Sequence, residues 1–117
     1  MRLIQLAAPK LGARLFRNNV GQAVAGRVTW ISRPLTITLG PGDAIVRGAR
    51  VLHAGLSVGS SDLIGWDQRG TFLAVEVKTA TGVASAEQKT FLQIVNESNA
   101  RGLLVRSVDE FKKLLSE

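Results

Sequence analysis

Two acidic residues and a lysine are the residues of this chain best suited to chemistry. Asp62 lies in the segment Gly-Ser-Ser-Asp-Leu-Ile-Gly, and 13 residues separate it from Glu76, which is followed by Val77 and Lys78. Alternation along a strand puts the side chains of Glu76 and Lys78 on one face. Because a charged pair is costly to bury among Phe, Leu, Ala and Val, this pair indicates a function. The alternative is a surface ion-pair cluster.

The residues between these two segments predict a tight hairpin turn. In Asp-Gln-Arg-Gly-Thr, a three-residue loop over 68–70 leaves Gly70 in the left-handed conformation. This register places Asp62 directly opposite Glu76, with the two side chains about 5 Å apart on one face. Two carboxylates at that distance repel each other unless a cation lies between them. The sequence therefore predicts a divalent metal site.

The spacing Asp-x13-Glu-x-Lys on a hairpin resembles the PD-(D/E)XK nuclease superfamily, with Ser61 in place of the proline that often precedes the first acid. Further segments, in the same order, resemble the VRR-NUC branch in its stand-alone form. They are residues 14–21, 59–66, 74–79, 85–92 and 102–110. The resemblance implies a single VRR-NUC-like nuclease domain over residues 1–117. Its fold class would be α/β, a restriction-endonuclease-like core with a mixed β-sheet flanked by helices.

The resemblance also implies roles for the residues of the hairpin and of the helix that follows. Asp62 and Glu76 are hard oxygen donors that suit Mg²⁺ or Mn²⁺, and the family implies the Val77 carbonyl as a third ligand. Lys78 would orient the attacking water or neutralise charge on the phosphate. The family carries a glutamine at the position of Gln88, where it would bind that water or a phosphate oxygen. The alternative for Gln88 is a helix cap only.

Residues outside this cluster are candidate contacts to nucleic acid, each with a solvated surface charge or a turn as the alternative. They are Arg14, Arg17, Asn18, Asn19 and Lys89. His53 is the single histidine, for which a structural role is weighed above a role as base or metal ligand. Gln5 stands where many related nucleases carry a helical glutamate, so the sequence leaves open whether one or two metal ions bind.

Composition supports a polyanionic partner. The chain carries 15 Lys and Arg against 9 Asp and Glu, a net charge of +6. The alternative is a basic protein with no such partner. Cysteine is absent, which excludes disulfides and thiolate metal sites. The longest apolar runs are too short to span a membrane, so we expect no membrane partner. By resemblance we expect a cytoplasmic protein of a bacterial or phage-infected cell.

Patterning predicts the elements that must position these residues. A helix is expected from Arg2 to Leu11, interrupted by Pro9 and closed by Gly12. Ser85 and Gln88 form a capping box that begins a second helix, with Gln88 facing the sheet. Ser107 caps a final amphipathic helix. The predicted strands cover residues 13–18, 28–31, 35–39, 44–53, 103–106 and both arms of the hairpin.

Together with the residues above, the resemblance implies a metal-dependent DNA endonuclease, and we expect it to act on branched or four-way-junction DNA as a homodimer. A catalytically silent nucleic-acid-binding module of the same fold is one alternative, although such a module has no need of the costly charged cluster. An RNA-cleaving nuclease is the other alternative. No motif of the sequence indicates the preferred base sequence or the biological pathway.

Overall fold

A mixed β-sheet organises the fold. The computed structural model describes residues 1–19, 21–22, 26–51 and 53–117. The elements in chain order are α1 (Arg2–Ala7), a 3-10 helix (Ala8–Leu11), β1 (Arg14–Arg17), β2 (Gly21–Gln22), β3 (His53–Ala54), β4 (Leu63–Trp66), β5 (Phe72–Val77), α2 (Ala86–Glu97), β6 (Arg101–Val105) and α3 (Val108–Leu115). The four-stranded sheet has the order β1-β4-β5-β6, antiparallel except for the parallel pair β5 and β6. Within the described ranges, no helix is long and apolar enough to cross a membrane.

The helical N-terminal segment has the predicted form. Helix α1 passes into the 3-10 helix at Ala8, and Pro9 occupies the first turn of that helix, where a missing N–H costs nothing. Gly12 then adopts φ 81°, which ends the helix and directs the chain into β1.

One face of the sheet carries the hydrophobic core. Alternate residues of the four strands point to this face, as the strand period requires. Helices α1 and α3 cover it, because each presents a stripe of apolar side chains. The buried side chains of this core are Ile4, Ala8, Ala13, Leu15, Leu63, Leu73, Val75, Val105, Phe111 and Leu115.

Helix α2 packs on the opposite face of the sheet, against β5 and β6. Gly102 permits this close approach, since a Cβ there would lie 3.0 Å from the Leu92 carbonyl oxygen. Ser85 begins the helix through the predicted capping box: its Oγ accepts the Gln88 N–H at 3.1 Å, and Gln88 Oε1 accepts the Ser85 N–H at 2.8 Å. The start of α2 is therefore fixed by its own first residues.

The β4–β5 hairpin confirms the predicted register. Leu63 pairs with Val75 and Trp66 pairs with Phe72. The loop closes where the Asp67 N–H donates to the Thr71 carbonyl at 2.8 Å, and Gly70 has φ 78°. The three-residue loop thus carries its glycine in the left-handed conformation, as the sequence predicts.

The strands predicted over residues 28–31 and 35–39 are wrong, and the one predicted over 44–53 is reduced to its end. The described residues 26–51 form no strand, and all of them are exposed. Among the described residues nearby, pairing joins β2 and β3, at Gly21 with Ala54 and Gln22 with His53. The turn at Gly40–Asp43 does form, since the Asp43 N–H donates to the Gly40 carbonyl at 3.1 Å. Alternation alone failed here because a strand needs neighbouring strands and a surface to pack on.

Asp67 stabilises the hairpin, and its removal tests that role. Its Oδ1 accepts the N–H groups of Arg69 and Thr71, both at 2.9 Å, and its Oδ2 lies 3.5 Å from Arg101 Nη1. Burial alone would raise the pKa of Asp67, but these partners outweigh burial and lower it. We expect Asp67→Ala to lower the free energy of unfolding at pH 7 by about 2–3 kcal/mol in urea titrations.

The contribution of Asp67 to stability should depend on pH in a definite direction. A lowered pKa means that the stabilisation is present above the unfolded-state pKa and is lost as the pH falls through the folded-state pKa. The difference between wild type and Asp67→Ala should therefore shrink in acid. Asp43→Ala is the matched control, because Asp43 caps only an exposed turn, and it should change stability by less than about 0.5 kcal/mol. Equal losses in the two variants would contradict the assignment.

Candidate active site

Three neighbouring strands bring polar residues to one level of the sheet, on the face that α2 covers. Beyond the last pair of β1 and β4, the Asn18 N–H donates to the Asp62 carbonyl at 2.8 Å. The β4–β5 register, extended by one residue, sets Asp62 opposite Glu76. Residues opposite each other on adjacent strands share a face. Asn18, Asp62 and Glu76 therefore lie in a row across the sheet.

Asp62 is half-buried at the start of the hairpin. Its Oδ2 accepts the Val77 N–H at 3.0 Å, across the hairpin from its own strand. This bond holds the carboxylate over β5, beside Glu76. The predicted juxtaposition of the two acids is present, and it follows from the length of the loop at the other end of the hairpin.

Glu76 is the most constrained group of the site. Its side chain is 1% exposed, and its Oε1 lies 2.9 Å from Gln88 Nε2 and 3.3 Å from Lys78 Nζ. Its Oε2 is buried and has no hydrogen-bond partner among the described residues. Burial raises the pKa of Glu76, and the Asp62 carboxylate raises it further, against the opposing effect of the Lys78 ammonium.

Gln88 is more than a helix cap, because it also contacts the acidic pair, and its binding of water or of a phosphate oxygen stays a prediction. Its Oε1 caps the first turn of α2 by accepting the Ser85 N–H, while its Nε2 donates to Glu76. One side chain therefore joins the start of a helix to the acidic pair. The inward orientation predicted from the apolar stripe of α2 is confirmed.

The site passes a simple test for a divalent cation. Glu76 Oε2 is a buried acceptor without a donor, and a second carboxylate stands beside it. In the described part of the chain, no group of three or more Asp, Glu, His or Cys side chains could hold a metal ion. The protein would supply two carboxylates and a backbone oxygen such as the Val77 carbonyl. Mg²⁺ and Mn²⁺ accept few protein ligands because they keep several waters, so these residues fit either ion.

Gln5 offers no additional carboxylate, and its amide is already engaged. Its Nε2 donates to the Leu15 carbonyl of β1 at 3.2 Å. The resemblance places a third acid at this position, but here the neutral side chain of Gln5 is hydrogen-bonded to β1. The side chain of His53 lies outside the described part of the structure, so its role stays a prediction.

The predicted nucleic-acid contacts do not form one cluster. Arg14 is exposed, and four residues of strand, about 13 Å, separate its level from that of the acids. Arg17 and Asn19 are exposed on either side of Asn18, and Lys89 is exposed next to Gln88. Asn18 differs from the others because it is 9% exposed and hydrogen-bonded within the chain. The four exposed residues stay predictions as contacts.

The ordered loop that precedes Asp62 and positions it is not among the features predicted from the sequence. Residues 55–61 cross from β3 to β4, and Gly55 and Gly59 both have positive φ, at 81° and 87°. The available signal was the spacing of glycine and serine in Gly-Leu-Ser-Val-Gly-Ser-Ser, which is typical of an ordered turn.

The mixed sheet has helices on both faces, and its central strand β5 carries an acid with a lysine two residues further on, just past the end of the strand. These features define an α/β fold of the PD-(D/E)XK type. A family model of the VRR-NUC domain matches residues 42–109, more than half of the chain, and this range includes Asp62, Glu76, Lys78 and Gln88. The chain belongs to the VRR-NUC family. Comparisons with curated proteins and with solved structures returned no match.

The burial of Glu76 predicts that the metal-free protein gains stability when this charge is removed. A group whose pKa is raised by folding is stabilising below its unfolded-state pKa, and that contribution is lost as the pH rises through the folded-state pKa. We expect Glu76→Gln, measured by urea unfolding in EDTA, to unfold at a higher midpoint than wild type at pH 8. The two midpoints should converge in acid.

Glu97→Gln is the matched control for this experiment, because Glu97 is exposed and only accepts a bond from Gln93 at 3.0 Å. Its midpoint should follow wild type at every pH. A Glu76→Gln midpoint well below wild type at pH 8 would show that the carboxylate stabilises the empty site, against our assignment.

Proposed function

We propose that this protein is an Mg²⁺- or Mn²⁺-dependent DNA endonuclease that hydrolyses phosphodiester bonds. Membership of the VRR-NUC family implies a nuclease that acts on DNA. The observation that carries the metal dependence is the pair of adjacent carboxylates, of which Glu76 keeps one buried oxygen without a donor. A protein gains nothing from burying such a group unless a cation or a ligand completes it.

The chain's own residues divide the work of hydrolysis. Asp62 and Glu76 would hold the cation, which would offset phosphate charge and make water more acidic. Lys78 is 20% exposed at its side chain, so its ammonium reaches both Glu76 and the open side of the site. It is placed to donate to a phosphate oxygen or to the attacking water. Attack by water forms a phosphorus–oxygen bond and breaks the one to the leaving strand.

Gln88 supports this reaction as a positioned donor. Its amide nitrogen carries two hydrogens, and the described contacts use one of them on Glu76. The second hydrogen is directed by a side chain whose oxygen is held at the helix cap. A donor fixed in this way loses little entropy when it binds water or phosphate.

Two alternatives differ from this proposal in a measurable way. A catalytically silent module of the same fold would bind DNA and leave it uncut with either metal. An RNA-cleaving nuclease would use the same site on a strand with 2′-hydroxyl groups. The charged cluster favours an active enzyme, because a binding module would be more stable without a buried, repelling pair.

The catalytic assignment predicts the loss of cleavage in three variants. Each of three variants should reduce cleavage at least about 100-fold: Asp62→Asn, Glu76→Gln and Lys78→Ala. The first two remove a metal ligand, and the third removes the ammonium group beside the ligands. The assay uses wild type and variants with Mg²⁺ or Mn²⁺ on duplex, single-stranded, flap and four-way-junction DNA and on RNA. EDTA should abolish wild-type cleavage.

Lys112→Ala is the control for the lysine variant, since Lys112 lies exposed on α3, which packs on the other face of the sheet. It should cut at the wild-type rate. Near wild-type turnover in any of the three site variants would remove that residue from the mechanism, and cleavage of RNA alone would favour the second alternative.

We further propose that the working unit is a homodimer that acts on branched DNA, with four-way junctions as the preferred case. Residues 26–51 support this proposal, because they are exposed throughout and still carry large apolar side chains. Exposed apolar patches of this kind mark interaction sites. The exposed apolar residues of the segment are Val28, Trp30, Ile31, Leu35, Ile37, Leu39, Ile45, Val46 and Val51.

A second copy also fits the chemistry. One site hydrolyses one phosphodiester at a time, so paired incisions in two strands require two sites. A twofold assembly would join two basic surfaces, and the exposed segment itself carries Arg27, Arg33, Arg47 and Arg50. Like the twofold assembly, a four-way junction has approximate twofold symmetry.

The dimer predicts a matched pair of variants in the segment. Light scattering should give twice the chain mass for wild type and for Thr36→Asp, and Ile37→Asp should shift the protein towards the monomer. Both side chains are exposed on the single chain, so neither change should lower the free energy of unfolding of the monomer by more than about 0.5 kcal/mol, measured at a concentration too low for dimers. A wild-type protein that stays monomeric and nicks junctions at single sites would refute the dimer and leave the nuclease assignment intact.

A further inference from the structure

Asn18 stands out among the residues around the site because its side chain is buried and fully engaged. It is 9% exposed, and its Nδ2 donates to Ser60 Oγ at 2.8 Å and to the Ser61 carbonyl at 3.0 Å. Its Oδ1 accepts the Leu56 N–H at 3.0 Å. An asparagine amide has two donor hydrogens. Both are used inside the chain, so Nδ2 has no hydrogen left for a phosphate.

The bonds of Asn18 converge on the backbone at Asp62. Its side chain binds the carbonyl of Ser61, and its own N–H donates to the carbonyl of Asp62 at 2.8 Å. Two consecutive carbonyl groups are therefore held by one residue of the neighbouring strand. This fixes the direction in which the Asp62 side chain leaves the backbone.

The loop that Asn18 holds also rests on the helix that carries Gln88. At Gly59, an added Cβ would lie 2.6 Å from Glu87 Cβ and 2.9 Å from the Glu87 carbonyl oxygen. Within the loop, Ser60 donates to the Ser57 carbonyl from its N–H at 3.0 Å and from its Oγ at 2.7 Å. The loop over 56–61 is thus held between the end of β1 and the first turn of α2.

We propose that Asn18 is a positioning residue: it holds the 56–61 loop so that the Asp62 carboxylate stays beside Glu76 and on the Val77 N–H. This inference rests on the proposed function, since the position of Asp62 matters for catalysis only if Asp62 is a metal ligand. It replaces the nucleic-acid contact that the sequence predicted for Asn18. The residue acts through Asp62 and touches neither substrate nor metal.

Hydrogen exchange of two adjacent amides in the metal-free protein tests the inference. The Val77 N–H donates to Asp62 Oδ2, whereas the Lys78 N–H donates to the Val105 carbonyl of β6 at 2.9 Å. In Asn18→Ala the Val77 amide should lose at least about tenfold of its protection while the Lys78 amide keeps its own. Unchanged protection of Val77 would overturn the inference, and so would an equal loss at both amides, which indicates general destabilisation.

Gly59→Ala supplies a second route to the same measurement if Asn18→Ala fails to fold. A methyl group at this position displaces the loop from Glu87 without touching the amide of Asn18. The same selective loss of protection at Val77 is expected. Full protection of Val77 in this variant would show that the loop does not control Asp62.

Titration with Mn²⁺ separates this inference from the proposed function. Asn18→Ala should raise the dissociation constant for Mn²⁺ by about 10–100-fold, and Asn19→Ala, which alters the exposed neighbour, should leave it unchanged. If wild type fails to bind Mn²⁺, the proposed function is wrong, and the exchange experiment still decides the role of Asn18. Weaker DNA binding with unchanged Mn²⁺ affinity and Val77 protection would make Asn18 a DNA contact and refute the inference.

Discussion

The structure of the site depends on the burial of the Glu76 carboxylate next to the carboxylate of Asp62. Glu76 sits on a central strand between β4 and β6, and its side chain is almost completely removed from solvent. A buried charge is costly unless partners compensate it. Lys78 and Gln88 share one oxygen of this carboxylate, and the other oxygen is left without a donor in the described structure. The surrounding elements hold the carboxylate in this position, with partners at one oxygen and no donor at the other in the described structure.

Each partner of Glu76 is held by a different kind of interaction. Lys78 follows it by two residues, one residue past the end of β5, where its N–H still donates to the Val105 carbonyl, so the pleat brings the two side chains together. Asp62 comes from across the hairpin and is held by a backbone N–H of β5 and by the loop that Asn18 anchors. Gln88 comes from α2, where its oxygen is committed to the helix cap. Two of these supports are linked, because the loop that holds Asp62 also rests on Glu87 in the first turn of α2, next to Gln88.

The protein combines a well-packed sheet with a segment, residues 26–51, that does not pack against the core. Helices α1 and α3 close one face, and α2 closes the other beside the acids. Residues 26–51 contribute no buried side chain, although their apolar content is typical of strands. Such a sequence is stable as a sheet only when other strands or a surface complete it. Within the described part of the chain, nothing supplies such strands or such a surface to this segment.

Local features of the sequence determined much of this protein. Residue spacing and turn chemistry predicted the hairpin register, the left-handed Gly70, the capping box at Ser85 and the end of the first helix at Gly12, because these depend on neighbouring residues. The acidic pair was predictable for the same reason, since the register follows from the length of the loop. Only the tertiary structure decided that residues 28–39 form no strand, because alternation does not specify what a strand packs against. Tertiary contacts also decided that Asn18 faces the interior, where Leu56, Ser60 and Ser61, some 40 residues further along the chain, supply its partners.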